Sequence, residues 1–412
     1  MTCPGSKAKP CGRQAFELLV ISTAPVYVLP MSHAPVIWIN AGETSGDLHG
    51  QLLVQALRAR CPQARFLGMA GPAMREAGVE AVVSTESLSV MGFTEVLGQL
   101  PKIFGLLRTI RQQLRTTKPD VIVVIDAPDF HFRVAKIAKA LGIPVVYYIS
   151  PKLWAWREGR TAFLRAHIHR LISILPFEQE FYRRHGMTVD YVGHPLLDSI
   201  RTAQILDTRP HPGRIGILPG SRRREISSLL PVFSRAATLL STRFPGLEFV
   251  LPVAPGMDQG LIHEHWTAPL PIQLVPSNER YRCMRSCRAI MAASGTVTLE
   301  TALLQVPTAV AYKFSALTFF LGRMLVKVPY ISLPNLIMNA PVFPEFLQSE
   351  AHPALLAAAV SQWIPNTAAR TAMVEQLSRL PELLGGGGAA DRAARIILDC
   401  AENRPRESGL LA

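Results

Sequence analysis

The 412-residue sequence is short of charge, at 18% of residues, and of aromatics, at 7%, while hydrophobic residues make up 49%. That balance excludes wholesale disorder and lets a sizeable core be buried. No window of about 18 uninterrupted apolar residues exists, so no membrane-spanning helix is predicted. The glycine fingerprint G-x-G-x-x-G and the Walker A lysine pattern are both missing, which speaks against a nicotinamide oxidoreductase and a P-loop ATPase. The six cysteines, at positions 3, 11, 61, 283, 287 and 400, form no C-x-x-C pair. Cys283 and Cys287 lie four apart, but no second pair completes a zinc site, and reduced thiols in a reducing compartment are the better reading. Basic and aromatic residues do not alternate along a strand as they do in RNA-binding sheets, so no nucleic-acid partner is expected.

What is present is basic and long enough for two α/β domains of ordinary size. Lys and Arg number 43 against 30 Asp and Glu, a formal charge of +13, which favours anionic partners such as phosphorylated substrates or an anionic membrane surface. Lys7, Lys9 and Arg13 precede an apolar stretch from Phe16 to Pro30, interrupted by Ser22, Pro25 and Pro30. No clear small-x-small cleavage site follows, so residues 1–30 read as a disordered leader or an upstream start-codon extension rather than a signal peptide.

From Val36 onward the repeating unit is an apolar strand, a turn and an amphipathic helix. Strands are predicted at Val36–Asn40, Arg65–Met69, Asp120–Ile125 and Pro144–Ile149, with helices from Gly46 to about Arg60 and over Phe132–Leu141. The run Asp-Val-Ile-Val-Val-Ile is apolar on both faces, as parallel-sheet strands are. A second series has strands at Arg214–Leu218, Leu247–Val253, Ala289–Ala293 and Thr308–Tyr312. The expected architecture is therefore α/β, two Rossmann-like doubly wound domains facing a central cleft, with the breaker-rich link near 198–213 between them. The domain reading is 31–200 for the first, 201–345 for the second, and 346–412 for helices that cross back to the first domain.

Candidate chemistry sits where strands meet helices. Ala41-Gly-Glu-Thr-Ser-Gly-Asp47 follows the first strand; Ser45 or Asp47 can cap the helix, but capping does not require Glu43. Asp126-Ala-Pro-Asp129 ends the most apolar strand, where a carboxylate beside low-dielectric walls has a raised pKa suited to a general base. A helix cap is the competing reading, and it suits Asp129 better than Asp126. In Pro219-Gly-Ser221-Arg222-Arg-Arg-Glu225 the basic residues oppose the helix dipole, so an anionic ligand on the backbone N–H groups and guanidinium groups is the better reading. Ser294-Gly295-Thr296-Val-Thr-Leu-Glu300 is a second such turn: Ser294 and Thr296 can donate to phosphate, and Glu300 can accept from a ribose diol or serve the helix start. Together the two turns point to a nucleoside diphosphate. The apolar segment 316–334 carries Phe319, Phe320, Arg323 and Lys327 and reads equally as a membrane-surface element or as a buried helix with two snorkelling bases. Trp154 and Trp156 read as core, with one free to line a sugar or acyl site, and His194 reads as a structural loop histidine.

These segments, in this order, resemble the lipid-A-disaccharide synthase family. The matching stretches are Ala41–Asp47, Gly68–Pro72, Val90–Gly98, Lys118–Phe130, Tyr148–Arg157, Leu175–Phe181, Gly193–Pro195, Leu218–Arg222, Ala293–Glu300, Tyr330–Leu336 and Pro344–Gln348. The resemblance implies a GT-B fold, with UDP-2,3-diacylglucosamine as donor and 2,3-diacylglucosamine 1-phosphate as acceptor. The products implied are the β-1,6-linked disaccharide 1-phosphate and UDP, formed with inversion and without cofactor or obligatory metal. It places the protein in the cytoplasm, peripherally on the inner face of the cytoplasmic membrane, and leaves a homodimer open. Carried over by position, Asp126 matches the family's base and Arg222 the arginine of its Pro-Gly-Ser-Arg turn. Glu43 and Ser45 match its first loop, and Glu300 and Asn335 its functional positions in the second half. Glu43 and Asn335 rest mainly on the resemblance. After Asn335-Leu-Ile this chain has Met-Asn-Ala-Pro where the family more often has Ala-Gly-Arg, which puts the role of that arginine in doubt. The enzyme alternative is another GT-B UDP-sugar enzyme such as a UDP-N-acetylglucosamine 2-epimerase; the competing non-enzyme class is a phospholipid- or nucleic-acid-binding protein, whose nucleic-acid form a salt titration would expose.

Overall fold

The computed structural model describes residues 33–89, 96–202, 205, 207–254, 257–314, 328–365 and 367–403. The leader 1–30 and the expected membrane residues Phe319, Phe320, Arg323 and Lys327 lie outside the described residues. The first sheet comprises β1 (Val36–Ala41), β2 (Arg65–Ala70), β3 (Glu80–Ser84), β4 (Val121–Ile125), β5 (Val145–Tyr148), β6 (Arg170–Ser173) and β7 (Asp190–Tyr191). They pair in the order β3-β2-β1-β4-β5-β6-β7, parallel throughout. The second comprises β8 (Arg214–Leu218), β9 (Glu248–Pro252), β10 (Ile272–Val275), β11 (Ala289–Ala293), β12 (Thr308–Tyr312) and β13 (Glu345–Leu347). Its order, β10-β9-β8-β11-β12-β13, repeats the first with one strand fewer, again all parallel. In each sheet the order reverses beside the first strand, between β1 and β4 and between β8 and β11. Ligands of such sheets collect outside the strand ends at that point.

The apolar central strands follow from burial on both faces. In β4 every residue is buried, and successive side chains go to opposite sides: Ile122 and Val124 join Trp38, Met69 and Tyr147, while Val121, Val123 and Ile125 join Ile37, Ile39 and Tyr148. The second of these clusters runs on without a break to Leu218, Ile290, Leu299 and Leu303 of the other half. The two sheets therefore share apolar packing at their junction, where helices Leu196–Thr202 and Thr296–Leu303 meet.

Among the C-terminal elements, helix Pro353–Ser361 lies on helix Arg223–Arg243 of the second half, whereas helix Ala389–Glu402 lies on helix Thr44–Arg60 of the first. This last helix is pinned by charge: Arg60 grips Asp391 through two bonds of 2.6 Å. Asp198 accepts from the N–H groups of Gly388 and Ala389, at 2.6 and 3.0 Å, and so satisfies the helix start from another element. No helix of the described residues is long and apolar enough to cross a membrane.

Candidate active site at the mouths of the two sheets

Asp126 leaves the end of β4 with φ 58°, and Ala127 follows with φ 36°, two non-glycine residues in the left-handed region. Such strain persists only where surrounding bonds hold it. Here Tyr147 Oη (2.6 Å) and His131 Nδ1 (2.8 Å) both donate to the Asp126 carbonyl oxygen. The carboxylate accepts from the N–H groups of Gly42 at 2.8 Å and Glu43 at 3.2 Å. Enclosure, then the neighbouring charge of Glu43, raises its pKa well above the ordinary carboxylate range, against the opposing pull of the N–H groups of Gly42, Glu43 and Gly46. Gly46 is required by this approach: a Cβ there would stand 2.7 Å from Asp126 Cγ and closer still to its Oδ2. His131 is fully buried and its pKa falls to about 4, so its ring stays neutral beneath the aspartate.

Asp129, three residues on, behaves oppositely. Partial enclosure would raise its pKa, but Arg160 at 2.5 Å and Arg157 at 3.1 Å outweigh that and lower it. It lies in the first turn of helix Pro128–Ala140, whose N-cap is Ala127, so Asp129 anchors two arginines rather than capping the helix. At one strand end, therefore, one carboxylate has its pKa raised, which makes it the more basic, while its neighbour's is lowered, the separation of pKa values that active sites rely on.

The first loop departs from the capping expectation. Helix Thr44–Arg60 begins after Glu43, with Ser45 exposed in its first turn and no side-chain cap. Asp47 is buried and serves a different helix: it accepts from Gly71 N (2.8 Å), Ala73 N (2.9 Å) and Met74 N (3.2 Å), at the start of Pro72–Glu76. Glu43 is exposed, and its carboxylate stands 4.0 Å from the guanidinium of Arg222, which comes from the second sheet's first turn. Glu43, Asp126 and Arg222 thus converge where the two mouths face each other.

The second mouth corrects one detail of the expected phosphate site. The N–H groups of Ser221 and Arg222 donate to Glu225 Oε2, at 3.1 and 3.3 Å, so these two donors are already engaged. The exposed Arg222 side chain remains, 3.4 Å from Glu225. The turn after β11 is open instead: Gly295 and Thr296 are exposed, and a Cβ on Gly295 would meet nothing within 4 Å. Ser294 spends its hydroxyl on the Ile331 carbonyl at 3.0 Å. Glu300 is half-buried on helix Thr296–Leu303; burial raises its pKa, with Arg280 at 3.8 Å and the Tyr281 hydroxyl at 3.2 Å opposing.

Asn335 does not face the cleft. It is fully buried, its Nδ2 donating to Phe343 O and Glu345 Oε1 (2.8 Å each) and its Oδ1 accepting from Phe343 N at 2.8 Å. It holds the chain ahead of β13 in place. Glu345 is the hub there, accepting also from Ile331 N, Ser332 N and Ser332 Oγ at 2.6–2.9 Å. Trp154 is buried and donates to Glu178 at 3.0 Å, whereas Trp156 is exposed with Arg157 stacked 3.7 Å over its ring. His194 is a buried loop residue whose Nδ1 accepts from Leu196 N at 3.2 Å. Glu345, Glu178 and the Arg280–Tyr281 pair were not singled out, because their side-chain partners Asn335, Trp154 and Glu300 stand on other elements and packing brings them together.

Comparisons with known proteins agree with this geometry. The family model described as lipid-A-disaccharide synthetase matches residues 37–385. A lipid-A-disaccharide synthase of Geobacter metallireducens is 39% identical over 370 residues, 88% of this chain and 96% of that protein. One from Neisseria meningitidis serogroup B is 39% identical over 377 residues, 89% and 98% of the two chains. Among solved structures, a UDP-GlcNAc 2-epimerase from Neisseria meningitidis, bound to UDP-GlcNAc, aligns with TM-score 0.62 at 14% identity, over 88% of this chain and 99% of that one. Acinetobacter baumannii MurG aligns with TM-score 0.57 at 15% identity, over 89% of this chain and all of that one. These likenesses show the fold, GT-B, and at such identity they show no more. The epimerase alternative is accordingly not favoured, since the relatives with substantial identity are synthases.

Proposed function

The chain belongs to the lipid-A-disaccharide synthase family and is a glycosyltransferase of lipid A biosynthesis; on that premise we propose that it joins UDP-2,3-diacylglucosamine to 2,3-diacylglucosamine 1-phosphate with inversion. The observation that carries the proposal is the Asp126 carboxylate, enclosed at the end of β4 with a raised pKa beside Glu43, whose side chain reaches Arg222 of the second mouth. A base poised in this way takes the proton of the acceptor 6-hydroxyl as that oxygen attacks the donor's anomeric carbon. The bond from that carbon to the UDP oxygen breaks on the opposite face, and UDP leaves with the electron pair. Arg222 and the open turn Gly295–Thr296 meet the charge that develops on the pyrophosphate, so no divalent ion is required. Glu300 holds the ribose diol, with Tyr281 and Arg280 fixing its carboxylate. Glu43 aligns Arg222 across the cleft.

Both proposed substrates carry acyl chains, so the cleft must work at a lipid surface. Supporting this, helix Val96–Thr117 exposes Lys102, Phe104, Arg108, Arg111 and Arg115. No acidic residue lies within that helix. Each such cation near an anionic leaflet contributes about 1 kcal/mol, and an exposed phenylalanine adds apolar burial. We place the protein peripherally on the inner face of the cytoplasmic membrane.

The test is incubation with the two acylated substrates in mixed micelles, following UDP release and the anomeric configuration of the product. A β-linked disaccharide with stoichiometric UDP is expected, with EDTA leaving the rate unchanged. UDP release with retention, or none above the rate of donor hydrolysis, overturns the reading.

A further inference from the structure

Beside Asp126's strand, β5 is followed by a further strained residue: Ile149 has φ 67°, a conformation rare for a β-branched side chain. The chain then runs Ser150-Pro-Lys152 across the sheet's mouth before helix Leu153–Trp156 begins. Ser150 N donates to Ile172 O at 3.0 Å, fixing this path to the neighbouring strand β6. Lys152 is an exposed residue, and among the described residues its ammonium has neither a hydrogen bond nor an ion pair. Glu43 and Arg222, 4.0 Å apart across the cleft, lie within electrostatic reach of it, as does the buried Glu178. The cleft walls lower the Lys152 pKa, the two carboxylates only partly compensating and Arg222 adding to the fall. An unpaired ammonium set opposite an exposed guanidinium is what a bound phosphate would satisfy.

We propose that Lys152 is a phosphoryl-binding residue of the cleft, supplying from the first domain a cation that works against Arg222 of the second. The inference rests on the transferase reading above and deepens it. The shared chemistry is a phosphate oxygen, and it has two sources: the anomeric phosphomonoester of the acceptor or the pyrophosphate of the donor. The ordered backbone of Ile149–Lys152 gives the side chain a fixed root, so that binding does not first require the loop to order.

The experiment compares the parent with Lys152→Met and Lys152→Arg in three measurements. They are UDP affinity by calorimetry, the KM of the acceptor with and without its 1-phosphate, and thermal melting. Loss of a charge-assisted hydrogen bond is expected to cost roughly ten- to hundredfold. If the acceptor is the source, Lys152→Met raises the KM of the phosphorylated acceptor by that factor, leaves the dephosphorylated acceptor unchanged, and leaves UDP affinity alone. If the donor is the source, UDP affinity falls by that factor and the preference for phosphorylated acceptor persists. In both cases Lys152→Arg recovers most of the loss. The proposal is overturned if neither quantity moves, or if melting temperature, turnover and both affinities fall together because Lys152 merely offsets Glu178. The double variant Lys152→Met with Glu178→Gln separates these last cases even where the single variant folds poorly. It restores fold and affinity if the lysine serves Glu178, and restores fold alone if the lysine serves phosphate. Absence of transfer in the parent would indict the functional reading, whereas the calorimetric UDP arm reports on Lys152 regardless.

Discussion

The two sheet mouths have the same strand order and use it differently. At the first, the N–H groups at the end of β1 turn inward to hold Asp126, so the backbone's donors are spent on the protein's own carboxylate. At the second, Glu225 takes the donors after β8, but the turn after β11, which is the topological counterpart of Asp126, is left open at Gly295 and Thr296. A switch point thus does not determine chemistry. What decides is whether the backbone donors face a residue or face solvent. On the proposed reading, the first mouth makes one carboxylate more basic, and the second receives negative charge from outside.

The sharpest break of that contrast is Asp126→Asn. Turnover should fall about 10²–10⁴-fold, the usual worth of a positioned base. UDP affinity should stay within about twofold, since no donor to the nucleotide is touched. Steady-state kinetics paired with UDP calorimetry decide it; an activity near that of the parent removes the base from the mechanism.

Next comes a pair of glycines. Gly46→Ala would ordinarily favour a helix by roughly 0.5–1 kcal/mol. Here the new methyl displaces Asp126, and turnover should fall about a hundredfold, as a misplacement of about 1 Å can cause. Gly295→Ala meets no atom and keeps an extended backbone, so melting should stay unchanged and any loss should be confined to UDP affinity. Equal behaviour of the two variants would erase the distinction between closed and open mouths.

Glu300→Ala should weaken UDP roughly ten- to hundredfold through lost hydrogen bonds to a charged acceptor, with the acceptor KM unaltered. Arg222→Ala should act chiefly on turnover, by about tenfold, as one charge-assisted contact to the leaving group is lost. Should Glu300→Ala instead raise only the acceptor KM, the nucleotide belongs elsewhere.

The smallest effect on activity is expected from Glu178, buried under the first mouth with its pKa raised to about 7 by burial, against donors from Ser150, Trp154 and Leu175. The folded protein therefore binds a proton that the unfolded chain releases near pH 4.3, so stability falls as pH rises from there toward 7. Glu178→Gln removes that dependence. Melting curves between pH 5 and 8 should show the parent losing roughly a few kcal/mol relative to the variant, and parallel curves would refute the buried-carboxyl account.

The central strands were legible because burial on both faces leaves a sequence trace: Arg214–Leu218, Ala289–Ala293 and Thr308–Tyr312 coincide with the observed β8, β11 and β12. Outer strands carry little of it. Asp190–Tyr191 has two residues, and Glu80–Ser84 and Glu345–Leu347 begin with a charge, so periodicity has nothing to act on. Asp126 was readable as a carboxylate at the end of an apolar strand. That Asp47 caps the following helix was not, because its partners begin 24 residues later and proximity of that kind is made by packing. The same limit explains Asn335: its spacing from Phe343 and Glu345 is visible in the sequence, but its complete enclosure is not.

The helix Ala389–Glu402 also sets an order of events during synthesis. Its Ala393, Ala394, Ile397 and Leu398 belong to the same buried cluster as Leu53, Val54 and Leu57 of helix Thr44–Arg60. Until those residues leave the ribosome, the nascent first half carries an uncovered apolar helix face while the whole second sheet is still being made. The half translated first is thus the half completed last, and a chaperone that shelters growing chains would find its binding surface there.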